Sequence, residues 1–254
     1  MASRLLILGG TTEARALALR LAAEPGYAAI LSLAGRTSAP LPQAVPVRSG
    51  GFGGAAGLAA FLKAERIDAL VVATHPFAER IAANAALAAA ETSIPAIVLA
   101  RPAWQAAAGD DWLGFASLGS LVAALGERER RILVTIGRQE AAAFEAAPKH
   151  AYWFRSIEPV EPPLVLPEVH YLQERGPFTV ADEIALMRLH RIDLVVSKNS
   201  GGEATRAKLD AARALGLPVW MVDRPQPSGL PEALTIDAVL HFLAHHAPPA
   251  ERGA

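Results

Sequence analysis

Apolar residues in this chain come in short unbroken runs, and each run stops at a polar or glycine-rich loop before helical spacing begins. Leu5-Leu6-Ile7-Leu8 has no polar position to give it a solvent face, so it predicts a strand buried on both sides. Leu17 and Leu21, set among small residues, then repeat at helical spacing over 14–23, and Pro25-Gly26 ends the pattern. The alternation continues with strands over 28–33, 69–73 and 95–99 and helices over 58–64 and 78–90. A short edge strand at 112–115 and a helix over 118–125 follow. Residues 132–137 then repeat the strand-then-glycine signal of the N-terminus. Strands over 194–197 and 218–222 and helices over 204–215 and 231–245 close the pattern. The proline-rich stretch 158–177 shows no period and receives no element, and the tail from 247 to 254 is expected to be disordered.

Strands alternating with helices of this length imply right-handed βαβ units and parallel pairing. The expected fold class is α/β, with two Rossmann-like parallel-sheet domains, 1–126 and 127–254, and a ligand cleft between them. The charged run Glu127-Arg128-Glu129-Arg130-Arg131 is the expected hinge. In an open parallel sheet the carboxyl ends of the strands face one crevice, where ligands bind.

Composition narrows the class. With 254 residues and 52% hydrophobic content the chain can bury a real core. No apolar run approaches the ~20 residues of a membrane helix, so no membrane partner is expected. Met1-Ala2-Ser3-Arg4 runs directly into a strand and leaves no room for a signal peptide, which points to a cytoplasmic protein. The absence of cysteine removes disulfides, thiolate metal sites and cysteine nucleophiles. A net charge of −1 argues against a nucleic-acid surface. Of 24 basic residues only Lys63, Lys149, Lys198 and Lys208 are lysines, which leaves 20 arginines. Base composition of the coding DNA accounts for such a bias most simply, although arginine forks also suit carboxylates and phosphates.

The loops after the strands carry the candidate chemistry. Gly9 and Gly10 allow close backbone approach, Thr11 and Thr12 add hydroxyls and a cap, and the helix N-terminus that follows suits a phosphate. The full G-x-G-x-x-G pattern is absent, and ordinary tight-turn chemistry is the competing reading. After the second strand stand Gly35-Arg36-Thr37-Ser38, with no carboxylate for a ribose 2′-hydroxyl, so Arg36 and Thr37 favour NADP over NAD. Gly50-Gly51-Phe52-Gly53-Gly54 suggests either a flexible wall against a ligand or a plain linker. Thr74-His75-Pro76-Phe77 ends the third strand at the crevice, where His75 could donate a hydrogen bond or a proton. Ser197-Lys198-Asn199-Ser200-Gly201-Gly202 offers hydroxyls, an amide and an ammonium to anionic oxygens. No P-loop, no G-x-S-x-G elbow and no H-E-x-x-H spacing occurs, which speaks against an NTPase, a hydrolase and a metal site.

In order along the chain, the segments Leu8-Gly9-Gly10-Thr11-Thr12-Glu13-Ala14-Arg15, Ala34-Gly35-Arg36-Thr37, Gly51-Phe52-Gly53-Gly54, Ala73-Thr74-His75-Pro76-Phe77-Ala78, Arg101-Pro102-Ala103-Trp104, Thr135-Ile136-Gly137-Arg138-Gln139-Glu140, Gly176-Pro177-Phe178, the 197–202 loop and Lys208-Leu209 resemble the precorrin-6A reductase family of cobalamin biosynthesis. The resemblance implies NADPH-dependent reduction of the C18=C19 bond of precorrin-6A or its cobalt form, with hydride to C19 and a proton to C18. The implied partner is an anionic tetrapyrrole. No metal is needed for hydride transfer. Carried over by residue, the cofactor role falls on Gly9, Gly10, Thr11, Thr12, Arg36, Thr37, Gly51, Phe52, Gly53 and Gly54, with Thr74, His75, Pro76 and Phe77 beside the nicotinamide. The substrate role falls on Arg138, Lys198, Asn199, Ser200 and Gly201. His75 and Lys198 are the candidates for proton donor. Two other classes remain open on sequence: a two-domain nucleotide-sugar transferase and a non-catalytic dinucleotide sensor.

Overall fold

The computed structural model describes residues 2–35 and 41–247. Arg36 and Thr37, and most of the expected disordered tail, lie outside the described residues. The chain forms two compact units: one runs up to Pro102 and resumes at Pro225, and the other is Ala103–Arg224.

The first unit contains β1 (Ser3–Leu8), α1 (Thr12–Ala22), β2 (Tyr27–Leu33), β3 (Val47–Ser49), α2 (Ala55–Ala64), β4 (Ala69–Val72), α3 (Glu79–Thr92) and β5 (Ala96–Leu99). Its sheet order is β12-β5-β4-β1-β2-β3, all parallel, where β12 is Glu232–Ala233 from the far end of the chain. The apolar run of β1 is explained by period-2 alternation into two cores. Leu5 and Ile7 pack with Leu17 and Leu21 of α1 and with Val239 and Leu243 of the last helix, Ile236–His246. Leu6 and Leu8 pack with Leu58 and Leu62 of α2 and with Ala85 and Ala88 of α3.

The second unit contains β6 (Trp112–Phe115), α4 (Leu118–Ala124), β7 (Arg131–Val134), a 3₁₀ segment (Arg138–Ala146), β8 (Ala151–Ser156), β9 (Glu168–Gln173), α5 (Val180–Leu189), β10 (Leu194–Lys198), α6 (Ala207–Leu215) and β11 (Val219–Val222). Its order is β6-β11-β10-β7-β8-β9, again all parallel. Trp153, Val195, Leu209 and Met221 form one buried cluster. Phe144 meets the stacked rings of Tyr152 and Phe154 edge-on, centred 5.4 Å from each.

Both sheets are α/β with the doubly wound strand plan, as expected. The boundary is not at 126/127. β6 and α4 belong to the second unit because β6 hydrogen-bonds to β11 (Trp112 opposite Val219), and β12 and the last helix belong to the first because Glu232 and Ala233 pair with Val98 and Leu99. The chain therefore crosses between units twice, and a charge run marks neither crossing. The stretch 158–177 contains an edge strand: β9 lies on β8 with most of its side chains exposed, which leaves no alternation to read.

Candidate functional site

In each sheet the strand order reverses once, and ligand crevices of such sheets lie beyond that point. In the first unit the reversal falls between β1 and β4. Gly9 continues the β1 ladder by donating to the Ser32 carbonyl at 2.9 Å. A β-carbon on Gly9 would stand 2.5 Å from Leu31 Cδ1 and 3.3 Å from Ala14 Cβ, so a larger residue would have to push the Leu31 side chain aside for the turn to close against β2 and α1. Gly10 adopts φ +121°, and no atom lies within 4 Å of where its β-carbon would be, so the backbone there faces open space. Thr11 caps α1: its hydroxyl accepts from the Ala14 amide (3.1 Å) and donates to the Ala73 carbonyl (2.8 Å), bridging the two strands that flank the reversal. Thr12 is the first, exposed residue of α1. Glu13 in the first turn pairs with Arg101 at 2.7 Å. Burial draws the Arg101 guanidinium below its ordinary pKa, and Glu13 pushes it back up.

The glycine-rich loop is held by a residue the sequence argument missed. Arg48 at the end of the sheet donates to the carbonyls of Gly50 (2.6 Å) and Gly51 (2.7 Å), and its guanidinium lies 3.8 Å from the centroid of Phe52. Phe52 in turn meets Phe61 of α2 edge-on at 5.2 Å. Arg48 and Phe61 therefore brace the loop. Gly50, Gly53 and Gly54 all take positive φ with open space at the β-carbon position, and Gly51 is equally open. An arginine two residues before a glycine run has no pattern that distinguishes it from a solvated side chain.

At the end of β4, His75 is exposed and Thr74, Pro76 and Phe77 are half-buried. The Phe77 amide donates to His75 Nδ1 at 3.3 Å, and the two rings are 5.8 Å apart. Accepting at Nδ1 places the proton of neutral His75 on Nε2.

In the second unit the reversal falls between β7 and β10, and a threonine again spans it: Thr135 Oγ1 donates to the Val196 carbonyl at 3.0 Å. Gly137 (φ +87°) turns the chain into the 3₁₀ segment, and Arg138 reaches the Pro159 carbonyl at 3.4 Å. Lys198 ends β10 with only 11% of its side chain exposed and forms an ion pair with Glu140. Ser197 is buried, and the Ser200 amide donates to the Lys198 carbonyl at 2.7 Å. Gly201 and Gly202 are both left-handed, at φ +67° and +84°.

Asn199 is engaged with the segment that enters the second unit. Its Oδ1 accepts from the Trp104 amide (2.8 Å) and its Nδ2 donates to the Trp104 carbonyl (3.1 Å), so each end of the side-chain amide is engaged with the protein itself. The Trp104 indole donates to the Gly202 carbonyl at 3.0 Å, and Lys208 Nζ lies 4.7 Å from the ring centroid. Lys208 is 5% exposed, and burial lowers its pKa to about 7. A second buried group, Arg155 with Glu183, is joined by Glu174 at 3.2 Å and by Phe178, whose ring centroid lies 4.3 Å from the guanidinium carbon. Among the described residues no group of three or more histidine, aspartate or glutamate side chains could hold a metal ion, and no helix is long and apolar enough to cross a membrane.

A family model described as precorrin-6x reductase CbiJ/CobK matches residues 4–244. A protein of Sinorhizobium sp named precorrin-6A reductase is 53% identical, over 97% of this chain and 95% of its own length. One of Priestia megaterium named cobalt-precorrin-6A reductase is 30% identical, over 95% of this chain and 98% of its own. A solved structure described as CobK precorrin-6A reductase superposes with a TM-score of 0.91 at 45% identity, covering 96% of this chain and 97% of that one. Sequence and fold agree over nearly the whole length, and this chain belongs to the precorrin-6x reductase CbiJ/CobK family.

Proposed function

We propose that the protein reduces the C18=C19 bond of precorrin-6A with NADPH, in cobalamin biosynthesis. The observation that carries the cofactor assignment is the open backbone at Gly10, at the strand reversal of the first sheet and in front of α1. A backbone free of β-carbons beside unsatisfied helix N–H groups suits a diphosphate. Gly51, Gly53 and Gly54 offer a second open wall, held in shape by Arg48. NADPH, when bound, supplies the hydride. Gly9, Gly10 and Thr11 hold its diphosphate, Thr12 caps the near side, and Arg36 and Thr37 read the 2′-phosphate. Thr74, His75, Pro76 and Phe77 border the nicotinamide.

The tetrapyrrole carries many carboxylates. Lys198 and Arg138 grip them, and Ser200 and Gly201 give the loop beside them its shape. Two C–H bonds replace the C18–C19 π bond: hydride arrives at C19 and a proton at C18. The metal-free form is the favoured substrate, because the relatives bearing that name reach 53% identity and the cobalt-named one quoted above 30%.

NADPH oxidation followed with metal-free and cobalt-loaded precorrin-6A in parallel tests this reading. Faster turnover of the metal-free ring is expected. Arg36→Ala should weaken NADPH binding by about tenfold or more, since a charge-assisted bond is worth ~1.5–3 kcal/mol, and leave NADH binding nearly unchanged. Equal loss for both cofactors overturns the 2′-phosphate role. Failure to bind NADPH at all, with binding of a nucleoside-diphosphate sugar, overturns the reductase reading.

A further inference from the structure

The chain enters the second unit at Ala103 and leaves it at Arg224. Both of these ends meet a single residue. Asn199 clamps the entering segment through two side-chain bonds to the Trp104 backbone, at 2.8 and 3.1 Å. Its main-chain carbonyl accepts from Nε of Arg224, the last residue of the unit, at 2.8 Å. Its amide donates to the carbonyl of Val222 at 2.9 Å, two residues before the exit. Trp104 returns to the same loop through its indole, which donates to Gly202. Trp104 is 4% exposed, and the bonds around it are partly buried.

We infer that Asn199 is a positioning residue that ties the 197–202 loop, and with it Lys198, to both segments by which the chain crosses between units. Its side chain is directed at the protein rather than at substrate, yet it sits one residue from the ammonium that holds the substrate in the proposed reaction. A loop made of Ser200, Gly201 and Gly202 has little stiffness of its own, because two successive left-handed glycines restrict nothing once their partners leave. The clamp supplies that stiffness from outside the loop. Because the entering and leaving segments share one anchor, loosening either one loosens the loop.

The consequence for turnover rests on the reductase reading; the anchoring itself does not. Hydrogen exchange of the protein without ligands therefore comes first. In Asn199→Ala, amide exchange should quicken about tenfold or more, by 1.4 kcal/mol per decade, together in three segments: 103–105, 199–203 and 222–224. The interiors of β10 and α6 should keep their protection. Trp104→Phe keeps the backbone clamp and removes the indole donor with part of the buried ring beside Lys208, so it should loosen 199–203 and leave the amide at position 104 protected. It also serves if Asn199→Ala fails to fold. Loosening confined to 103–105 in Asn199→Ala, or spread evenly over the unit, overturns the inference. In the assay, Asn199→Ala should lower kcat and raise the tetrapyrrole KM while the Kd for NADPH stays within about twofold. A wild-type protein that does not turn over precorrin-6A defeats the reductase reading and leaves the exchange result standing.

Discussion

The two sheets share one strand plan, and a threonine hydroxyl bridges the same gap in each, Thr11 to Ala73 and Thr135 to Val196. The loops beside those bridges are made of different material. In the first unit the wall is backbone: Gly10, Gly50, Gly53 and Gly54 face open space, and a single arginine holds the carbonyls. In the second the wall is side chains already engaged within the protein, Lys198 with Glu140, Asn199 with the Trp104 backbone, and Lys208 with the Thr205 carbonyl under the indole. A backbone wall suits a ligand part that every relative of a fold shares, such as a diphosphate. A side-chain wall suits a ligand whose shape and charge are particular.

If the first wall is backbone, its most damaging change adds one methyl in the wrong place. A β-carbon at Gly57 in α2 would fall 1.7 Å from the Phe52 carbonyl oxygen, so either the helix or the glycine loop must move. Gly57→Ala should lower the unfolding free energy by about 4 kcal/mol or more, at the severe end of overpacking. Gly10→Ala meets no atom and should cost about 1–3 kcal/mol of backbone strain, yet weaken NADPH binding by filling the proposed cradle. Urea denaturation and cofactor titration of both variants check this. A neutral Gly57→Ala would break the comparison at its first term.

The second wall should instead answer to pH. Lys208 has an ordinary pKa of 10.5, lowered to about 7 chiefly by burial, with Arg155 pushing the same way and Glu183 opposing. Between these two values the unfolded chain binds a proton that the folded chain does not. Stability therefore rises with pH across that window, and below about 7 the full cost of the buried charge is present. At ~1.4 kcal/mol per pH unit the rise is on the order of 5 kcal/mol. Lys208→Met should lack the rise and be the more stable protein near pH 6. Thermal denaturation of both proteins from pH 6 to pH 10 measures it. Parallel curves would show that the Lys208 ammonium is well accommodated where it lies.

The same difference explains what the sequence made legible. β1, β4, β7 and β10 were readable because strands covered on both faces must be unbroken apolar runs, and Leu5-Leu6-Ile7-Leu8 feeds two cores in alternation. The tight turn at Gly9 and Gly10 was readable because a backbone turn is written in consecutive residues. The domain boundary was not, because β6 and β12 join sheets on the far side of a crossing, and nothing in Trp112-Leu113-Gly114-Phe115 says which neighbour it will pair with. The roles of Asn199, Glu140 and Arg48 were hidden for a related reason. Asn199 finds Trp104 95 positions away and Lys198 finds Glu140 58 positions away, and such partners leave no local spacing. Arg48 is close in sequence to its carbonyls, but a backbone carbonyl carries no residue identity to recognise.

The mildest test concerns the ammonium itself. Lys198 is held against Glu140, whose side chain is 43% exposed, so the pair is partly screened and worth only ~0.2–1 kcal/mol. In the proposed reaction a substrate carboxylate takes the place of Glu140, or shares Lys198 with it. Removing the ammonium should therefore raise the tetrapyrrole KM by roughly tenfold, equivalent to ~1.4 kcal/mol, while kcat changes little, as when ground state and transition state lose the same contact. Removing its partner should act in the opposite direction. Glu140→Gln removes the ion pair with Lys198 and deletes a carboxylate that repels the anionic ring of the proposed substrate, so KM should fall by up to about fivefold, within the strength of a partly exposed pair. Only the repulsive part survives in the double variant, so Glu140→Gln should lower KM less in the Lys198→Ala background than in the wild type. Steady-state kinetics of the four proteins decide this. A collapse of kcat in folded Lys198→Ala, with KM unchanged, would mean that the ammonium serves the chemical step, and that the second wall does more than hold.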